Sequence, residues 1–176
     1  MKRILVSMLL LGAASASAQQ QVVREDVEGI VNFARIETTV ACAGAITPGS
    51  VADIKEMGFA SIINLRQASE EGANIDAEAA AAAAADIPFV HLPFGGPEPD
   101  PAVVDRFLET ITGANTEPAF IHCAGGGRAA MMWFVKRVVV DEWDVDTAMQ
   151  EAEALGLSPE SRLRDFALAY LDRRSG

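Results

Sequence analysis

The sequence predicts an α/β protein in which a central, mainly parallel β-sheet is flanked by helices. Two observations predict this class. Short apolar runs alternate along the chain with segments of helical pattern, and one run leads through three successive glycines directly into a helix. The length points the same way, because 176 residues, 50% of them hydrophobic, suffice for one sizeable core and favour one domain over two.

The first eighteen residues have the pattern of a secretory signal peptide. A cationic start at Lys2 and Arg3 precedes an apolar run, and small residues end at Ala18 before three glutamines. The apolar run is shorter than the roughly 20 residues that a membrane helix needs. We therefore expect a periplasmic or secreted protein with a signal peptide over 1–18, a lead-in over 19–30 and one domain over 31–176.

The charge of the chain restricts its partners. Removing Lys2 and Arg3 from the 14 basic residues leaves 12 against 25 acidic ones, a net charge of −13. Such a chain repels nucleic acid and anionic lipid, so we expect no nucleic-acid partner and no membrane contact beyond export. An anionic substrate would need a local positive site.

Four short apolar runs predict the strands of the sheet. The segment 33–43 is rich in β-branched and small residues, which suits a first strand leading into Gly44. The run 59–65 is of the kind that is buried on both faces of a parallel sheet. The runs 88–92 and 119–123 predict the third and fourth strands.

Helices are predicted between and after these strands. Thr47 and Pro48 suit the N-cap and first position of a short helix that Gly58 closes. The segment 76–85 is mostly alanine, which has the best helix propensity but little to pack with, so we expect a thin helix without a functional role.

The later helices have clear start signals. Asp100-Pro101 predicts the start of a helix that runs to about Gly113. An apolar helix over 129–140 follows the glycines, and two closing helices are expected after Asp144 and after Ser158-Pro159.

The segment from His122 to Arg128, His-Cys-Ala-Gly-Gly-Gly-Arg, joins the fourth strand to its helix. Glycines before a helix allow backbone N–H groups to converge on one point, which is typical of an anion site. The same positive field favours the nucleophilic thiolate of Cys123, and the planar fork of Arg128 can hold two oxygens of an oxyanion. The predicted phosphate-binding residues are Ala124, Gly125, Gly126, Gly127 and Arg128.

This segment resembles the signature of the cysteine-based phosphatases, which is His-Cys, five residues and Arg. Here four residues separate Cys123 from Arg128, as in the bacterial dual-specificity-phosphatase-like family that also occurs as a domain beside β-lactamase-like hydrolases. Gly44 before a Thr-Pro helix start, Ile-Ile-Asn-Leu-Arg66 and His91-Leu-Pro93 fit this family too. The resemblance spans roughly 31–171. It implies the cysteine-phosphatase (PTP-like) fold and hydrolysis of phosphoric monoesters through a phosphocysteine on Cys123, with neither metal nor cofactor.

Three positions depart from the phosphatase pattern. The loop is one residue short, Ala129 stands where Ser or Thr usually follows the arginine, and Gly95-Gly96 stands where related phosphatases place an aspartic general acid. Asp100 and Glu98 are the nearest acidic replacements. We assign the acid provisionally to Asp100, whose alternative role is the N-cap of its helix.

Several further polar residues lie near the strand ends. We expect His122 to turn away from the anion and shape the loop, and His91 to be a core residue. Arg66 is a candidate second contact to the phosphate, or else an ion-pair partner of Glu70 or Glu71.

Three points remain open from the sequence. The spacing of Cys42 and Cys123 does not decide whether they pair, although a buried free thiol is favoured for Cys42. The short loop has the size found in rhodanese sulfurtransferases, so sulfur transfer is a second enzymatic hypothesis. A catalytically weak phosphate-binding module is the third.

Overall fold

The computed structural model of the protein describes residues 21–37, 39–95 and 99–176. The predicted signal peptide over 1–18 and the acidic candidate Glu98 lie outside the described residues.

The described part of the chain contains one sheet of six strands. Its order is β1-β2-β3-β6-β4-β5, and the four strands β3, β6, β4 and β5 run parallel, while β1 and β2 add an antiparallel edge. The strands are β1 Val22–Arg24, β2 Ala34–Ile36, β3 Val40–Ala43, β4 Ser61–Asn64, β5 Phe89–His91 and β6 Ala119–His122. The predicted α/β class is confirmed, with a sheet that is mixed rather than wholly parallel.

Two predictions about the N-terminal half are wrong. The segment 33–43 is not one strand, because the chain reverses after Ile36 and pairs Ile36 with Val40 in an antiparallel turn. Glu37 takes a φ of +36° at this reversal. The segment 19–30 is more than a lead-in, since β1 lies within it and pairs with β2 in the same sheet.

Six helices flank the sheet in the described residues. They are α1 Val51–Glu56, α2 Ile75–Ala84, α3 Pro101–Ile111, α4 Gly127–Val139, α5 Val145–Leu155 and α6 Arg162–Ser175. A 3₁₀ turn, Pro48–Ser50, precedes α1. Asp144 caps α5 as predicted, accepting the Thr147 N–H at 2.9 Å, whereas α6 starts at a different cap, Ser161 rather than Ser158. None of the helices in the described ranges combines the length and apolarity of a membrane span.

The sheet is buried on both faces, which explains why its central strands read as nearly continuous apolar runs. Residues on one face, such as Cys42, Ile63 and Ile121, pack against α3 to α6. Their alternates, such as Ile62 and Phe120, pack against α1 and α2. Because side chains alternate along a strand, neighbouring residues of β6 serve two different cores.

The carboxyl ends of the parallel strands form one row across the sheet. Ala43 of β3 pairs with His122 of β6, which pairs with Asn64 of β4, which in turn pairs with His91 of β5. The residues that follow these four leave the sheet at the same edge. Ligands of parallel α/β sheets bind at this edge.

Candidate active site

The loop 122–128 turns its carbonyl groups outward. Three neighbouring segments bind them, with Leu65 N–H donating to His122 O (2.9 Å), Ala45 N–H to Ala124 O (2.9 Å) and the Asn32 side chain to Gly125 O (3.1 Å). A peptide whose carbonyl points outward turns its N–H toward the inside. The contacts to Ala124 O and Gly125 O therefore fix the direction of the Gly125 and Gly126 amides, whereas Cys123 N–H donates to Ala43 O of β3.

One of these amides contacts the sulfur of Cys123. Gly126 N–H donates to Cys123 Sγ at 3.1 Å, and Gly126 has the φ of +100° that favours glycine before α4 begins. The N–H groups of Ala124, Gly125, Gly127 and Arg128 have no acceptor among the described residues. Together with the N-terminus of α4 they form a concave set of donors, which is the arrangement that binds an oxyanion.

Gly44 is required where β3 leaves the sheet beside this loop. A Cβ at Gly44 would lie 2.8 Å from the carbonyl oxygen of Ala124 and about as close to Val31. The backbones of the two segments approach so closely that only glycine fits. This contact holds the first turn of the loop against the sheet.

Arg128 is oriented by four hydrogen bonds. Nη1 donates to Glu70 Oε1 (2.6 Å), Phe94 O (2.6 Å) and Leu65 O (3.2 Å), and Nη2 donates to Glu70 Oε2 (2.7 Å). A guanidinium has five N–H groups, so Nε–H and one Nη2–H remain for a ligand. The guanidinium also interacts with the side chain of Cys123, so Arg128 and the sulfur lie close enough to contact one ligand.

The environment of the ion pair between Arg128 and Glu70 favours the charged form of both side chains. Burial opposes the charge, but the hydrogen bonds that Arg128 donates to Glu70 and the nearby Cys123 outweigh burial and raise the pKa of Arg128. Burial likewise tends to raise the pKa of Glu70, yet hydrogen bonds from Arg128 and the Gln67 N–H bring that pKa below its ordinary value. Sequence reasoning missed this bidentate pair, because Glu70 was considered only as a partner of Arg66.

Arg66 is buried, and its guanidinium binds backbone carbonyls of the loop that follows β4. Its Nη1 donates to Gly72 O at 3.0 Å and its Nη2 to Glu71 O at 2.5 Å, while Nε lies 3.6 Å from Glu70. These contacts match the predicted alternative, an ion pair within the loop. The direct phosphate contact of Arg66 remains a prediction.

His122 turns away from Cys123, into the opposite core beside Phe120. Its Nε2 lies 3.4 Å from a carboxylate oxygen of Glu78, a residue of the alanine-rich helix α2 that the sequence interpretation treated as filler. His91 is half-buried, with Nε2 2.8 Å from Arg66 O. The expected orientation of His122 therefore agrees with the structure, whereas Glu78 was missed.

Asp100 is exposed and accepts the Ala102 N–H at 2.9 Å, so it is the N-cap of α3. Cys42 and Cys123 are both buried thiols, with no disulfide to any described residue. Burial raises the pKa of Cys42 well above its ordinary value, and the neighbouring Cys123 and Glu151 raise it further. Cys42 is thus the buried free thiol that the sequence favoured.

A cysteine sulfur within an amide-lined loop, clamped by an oriented arginine at the carboxyl edge of the sheet, is the working part of cysteine-dependent phosphatases. The protein is a phosphatase of this class. Its sequence matches the family model of the "Beta-lactamase hydrolase-like protein, phosphatase-like domain" over residues 32–140, and the chain belongs to that family.

Sequence relatives agree with this assignment. The chain is 25% identical over 164 residues to the dual specificity protein phosphatase TpbA of Pseudomonas aeruginosa, covering 92% of this chain and 71% of TpbA. It is 32% identical over 124 residues to a β-lactamase hydrolase-like protein of Xylella fastidiosa. That alignment covers 69% of this chain but only 27% of the relative, so the chain spans about a quarter of that longer protein.

Solved structures show the same fold. The crystal structure of P. aeruginosa TpbA superposes with a TM-score of 0.64 at 23% identity, covering 89% of this chain and 91% of TpbA. The catalytic core of the PP-IP phosphatase SIW14 of S. cerevisiae gives a TM-score of 0.65 at 17% identity, covering 85% and 92% of the two chains. The predicted cysteine-phosphatase fold is confirmed.

Proposed function

We propose that the protein hydrolyses phosphoric monoesters through a phosphocysteine intermediate on Cys123. The observation that carries this proposal is the contact of Cys123 Sγ with the loop amide of Gly126 and with the Arg128 side chain. The amides and Arg128 bind the three non-bridging oxygens of the phosphate. The thiolate then attacks phosphorus, and the ester oxygen leaves with its electron pair and takes a proton from an acid.

The second step regenerates the enzyme. Water attacks the phosphorus of phosphocysteine, the S–P bond breaks, and inorganic phosphate and the thiolate are released. Arg128 and the amides stabilise the charge that develops on the phosphoryl oxygens in both steps. Ala129, buried at the start of α4, offers no hydroxyl to the departing sulfur, so we expect this second step to be slow.

The relatives and the charge of the site support a proposal for the substrate class. TpbA is named a dual specificity protein phosphatase, and we propose phosphorylated protein side chains as substrates of this chain as well. Each described basic group at the site, Arg128 and Arg66, is already paired with Glu70. A site with so little surplus positive charge suits a single phosphate monoester better than a polyphosphate.

The first test is hydrolysis of p-nitrophenyl phosphate by the reduced protein, because a good leaving group needs little help from an acid. Wild type should turn over, and Cys123→Ser and Arg128→Ala should both abolish turnover. If the reduced wild type is as inactive as the variants, the hydrolase proposal is wrong.

The assignment of the general acid to Asp100 has its own test. Asp100→Asn preserves the N-cap, since asparagine caps helices as well as aspartate does. If Asp100 is the acid, hydrolysis of phenyl phosphate, a poor leaving group, falls by about 10²–10⁴ while p-nitrophenyl phosphate is nearly unaffected. If Asp100→Asn hydrolyses both substrates at the wild-type rates, Asp100 is only the N-cap of α3.

Two alternatives keep specific support from the sequence. The short loop favours sulfur transfer, which would produce thiocyanate from thiosulfate and cyanide in a Cys123-dependent manner. Ala129 favours a binding module, which would bind phosphate tightly without turnover. Both are measured on the same protein preparation as the phosphatase assay.

We also propose that the protein acts in the periplasm or outside the cell, on the strength of the signal-peptide pattern over 1–18. N-terminal sequencing of the protein recovered from the periplasm of a bacterial host should begin at Gln19. Recovery of the full chain from the cytoplasm, with Met1 or Lys2 at its terminus, would contradict this location.

A further inference from the structure

The alanine-rich helix α2 carries a buried carboxylate. Glu78 is 0% exposed, although Asp76, the other acidic residue in the first turn of the same helix, is exposed. An apolar side chain would satisfy the packing of α2 at this point. Burial of a carboxylate is unfavourable unless it has partners, so its contacts indicate its role.

Glu78 contacts the ends of two central strands. The Asn64 side chain of β4 donates to Glu78 Oε2 at 2.6 Å. Nε2 of His122 in β6, which has no hydrogen-bond partner among the described residues, lies 3.4 Å from the same oxygen. Asn64 and His122 are both fully buried and are paired neighbours on the adjacent strands β4 and β6. Glu78 therefore lies beneath the row from which the active-site segments leave the sheet.

Asn64 and His122, which contact Glu78, each directly precede a residue of the candidate active site. His122 directly precedes Cys123. Asn64 precedes Leu65, whose N–H binds His122 O and whose carbonyl accepts a hydrogen bond from Arg128. The Asn64 side chain also accepts the Arg66 N–H at 2.7 Å, which fixes the turn of the backbone at Leu65.

We propose that Glu78 is a positioning residue of the active site, which holds the carboxyl ends of β4 and β6 in the register that places Cys123 and Arg128 around one phosphate. The inference rests on the proposed function in taking loop 122–128 as the phosphate site. Glu78 lies on the far side of the sheet from Cys123, so it acts only through Asn64 and His122.

The test is Glu78→Gln, which keeps the size of the side chain but replaces one acceptor oxygen by an NH₂ group that faces donors. A misplacement of about 1 Å can cost about 10² in rate. We expect kcat on p-nitrophenyl phosphate to fall at least tenfold, with a smaller change in KM. Asp76→Asn, the same loss of charge on the same helix, should leave kcat unchanged.

A second control separates positioning from stability. Ala82 is buried one turn further along α2, and Ala82→Gly destabilises the helix without touching the contacts of Glu78. When both variants are assayed at temperatures at which they are equally folded, Glu78→Gln should lose more activity than Ala82→Gly. Equal losses would reduce the role of Glu78 to holding α2.

A readout without turnover keeps the test independent of the phosphatase proposal. Tungstate, a phosphate mimic, should protect Cys123 of the wild type from alkylation by iodoacetamide, and Glu78→Gln should weaken this protection at least tenfold. If wild type shows protection but no hydrolysis, the proposed reaction fails while the role of Glu78 is still measured. Wild-type protection and wild-type kcat in Glu78→Gln would overturn the inference.

If Glu78→Gln does not fold, the wild type itself supplies the evidence. The ¹⁵N spectrum of the histidine rings, assigned with His91→Gln, should show a proton on Nε2 of His122, the nitrogen that faces Glu78. A His122 ring with its proton on Nδ1 alone would overturn the inference.

Discussion

The replacement of Arg128 by lysine tests how the site stabilises the transition state. Lysine keeps the positive charge but loses the planar fork. In the structure one end of the fork is held by Glu70, Phe94 O and Leu65 O, which leaves Nε–H and one Nη2–H as donors for a phosphate. A lysine ammonium would be drawn to the same three acceptors and could present at most one donor to the phosphate.

The magnitude follows from the number of donors lost. Removal of one preorganised donor to a developing oxyanion costs about 2.7–4 kcal/mol. Since about 1.36 kcal/mol corresponds to tenfold in rate, Arg128→Lys should lower kcat by about 10²–10³. The retained charge should keep the change in KM smaller than the change in kcat.

The assay is steady-state hydrolysis of p-nitrophenyl phosphate by Arg128→Lys and by a matched control, Arg137→Lys. Arg137 lies on the same helix, but its guanidinium stacks on Trp133 and Trp143 and binds Glu151 away from the anion loop. The control should lose stability but not turnover per folded molecule. A kcat of Arg128→Lys within tenfold of wild type would refute the fork argument.

Three further predictions concern other contacts. Gly95 has a φ of +148°, and a Cβ there would lie 3.0 Å from Arg128 Nη1, so Gly95→Ala should lower kcat/KM at least tenfold. The control is Gly58→Ala, at a φ of +93° with no atom within 4 Å of its Cβ, which should leave kcat/KM unchanged. Equal losses in the two variants would mean that backbone strain, and not contact with Arg128, lowers the activity. Because the folded pKa of Glu70 lies below its ordinary value of 4.5, its ion pair stabilises the fold fully above about pH 4.5 and is lost as pH falls through the lowered pKa. The stability difference between wild type and Glu70→Gln in urea should therefore shrink on acidification, and a pH-independent difference would contradict the ion pair. Glu151→Ala leaves the Trp133 indole N–H without its acceptor and removes one of the two carboxylates that bind Arg137, which keeps Asp141. The variant should lose about 1–3 kcal/mol in urea unfolding, and a loss near zero would count against this assignment.

The strand, loop and helix around residues 122–128 could be predicted from the sequence because their determinants are local. The strand, Cys123, the glycines, Arg128 and the start of α4 are consecutive, and Gly126 takes the positive φ that the turn requires. Each feature constrains its immediate neighbours, so seven residues suffice to specify an anion site. The cap at Asp144 was predictable for the same reason.

The residues that orient the loop could not be predicted in this way. Glu70 lies 58 residues before Arg128, and the sequence does not reveal whether Glu70 or Glu71 meets an arginine, or which arginine. Glu78 offered one signal, since it is one of only two carboxylates in a helix otherwise made largely of alanine. That pattern fits an exposed residue as well as a buried one, and only the packing of α2 on the sheet distinguishes them.

The reversal between β2 and β3 was missed for a local reason. The segment around Ile36 and Val40 has β-branched residues on both sides and lacks the glycine, proline or asparagine that usually marks a hairpin. Glu37 takes the positive φ instead. Both strands pack in the core beneath α3 to α6, and this tertiary packing overrides the weak turn signal of the sequence.

The central claim is that Cys123 carries the phosphoryl group, and rapid denaturation during turnover tests it most directly. Wild type mixed with excess p-nitrophenyl phosphate and denatured within milliseconds should yield a Cys123 peptide with one added phosphoryl group, and the slow second step expected from Ala129 should let this species accumulate. Turnover that proceeds with an unmodified Cys123, or that persists in Cys123→Ser, would contradict the account.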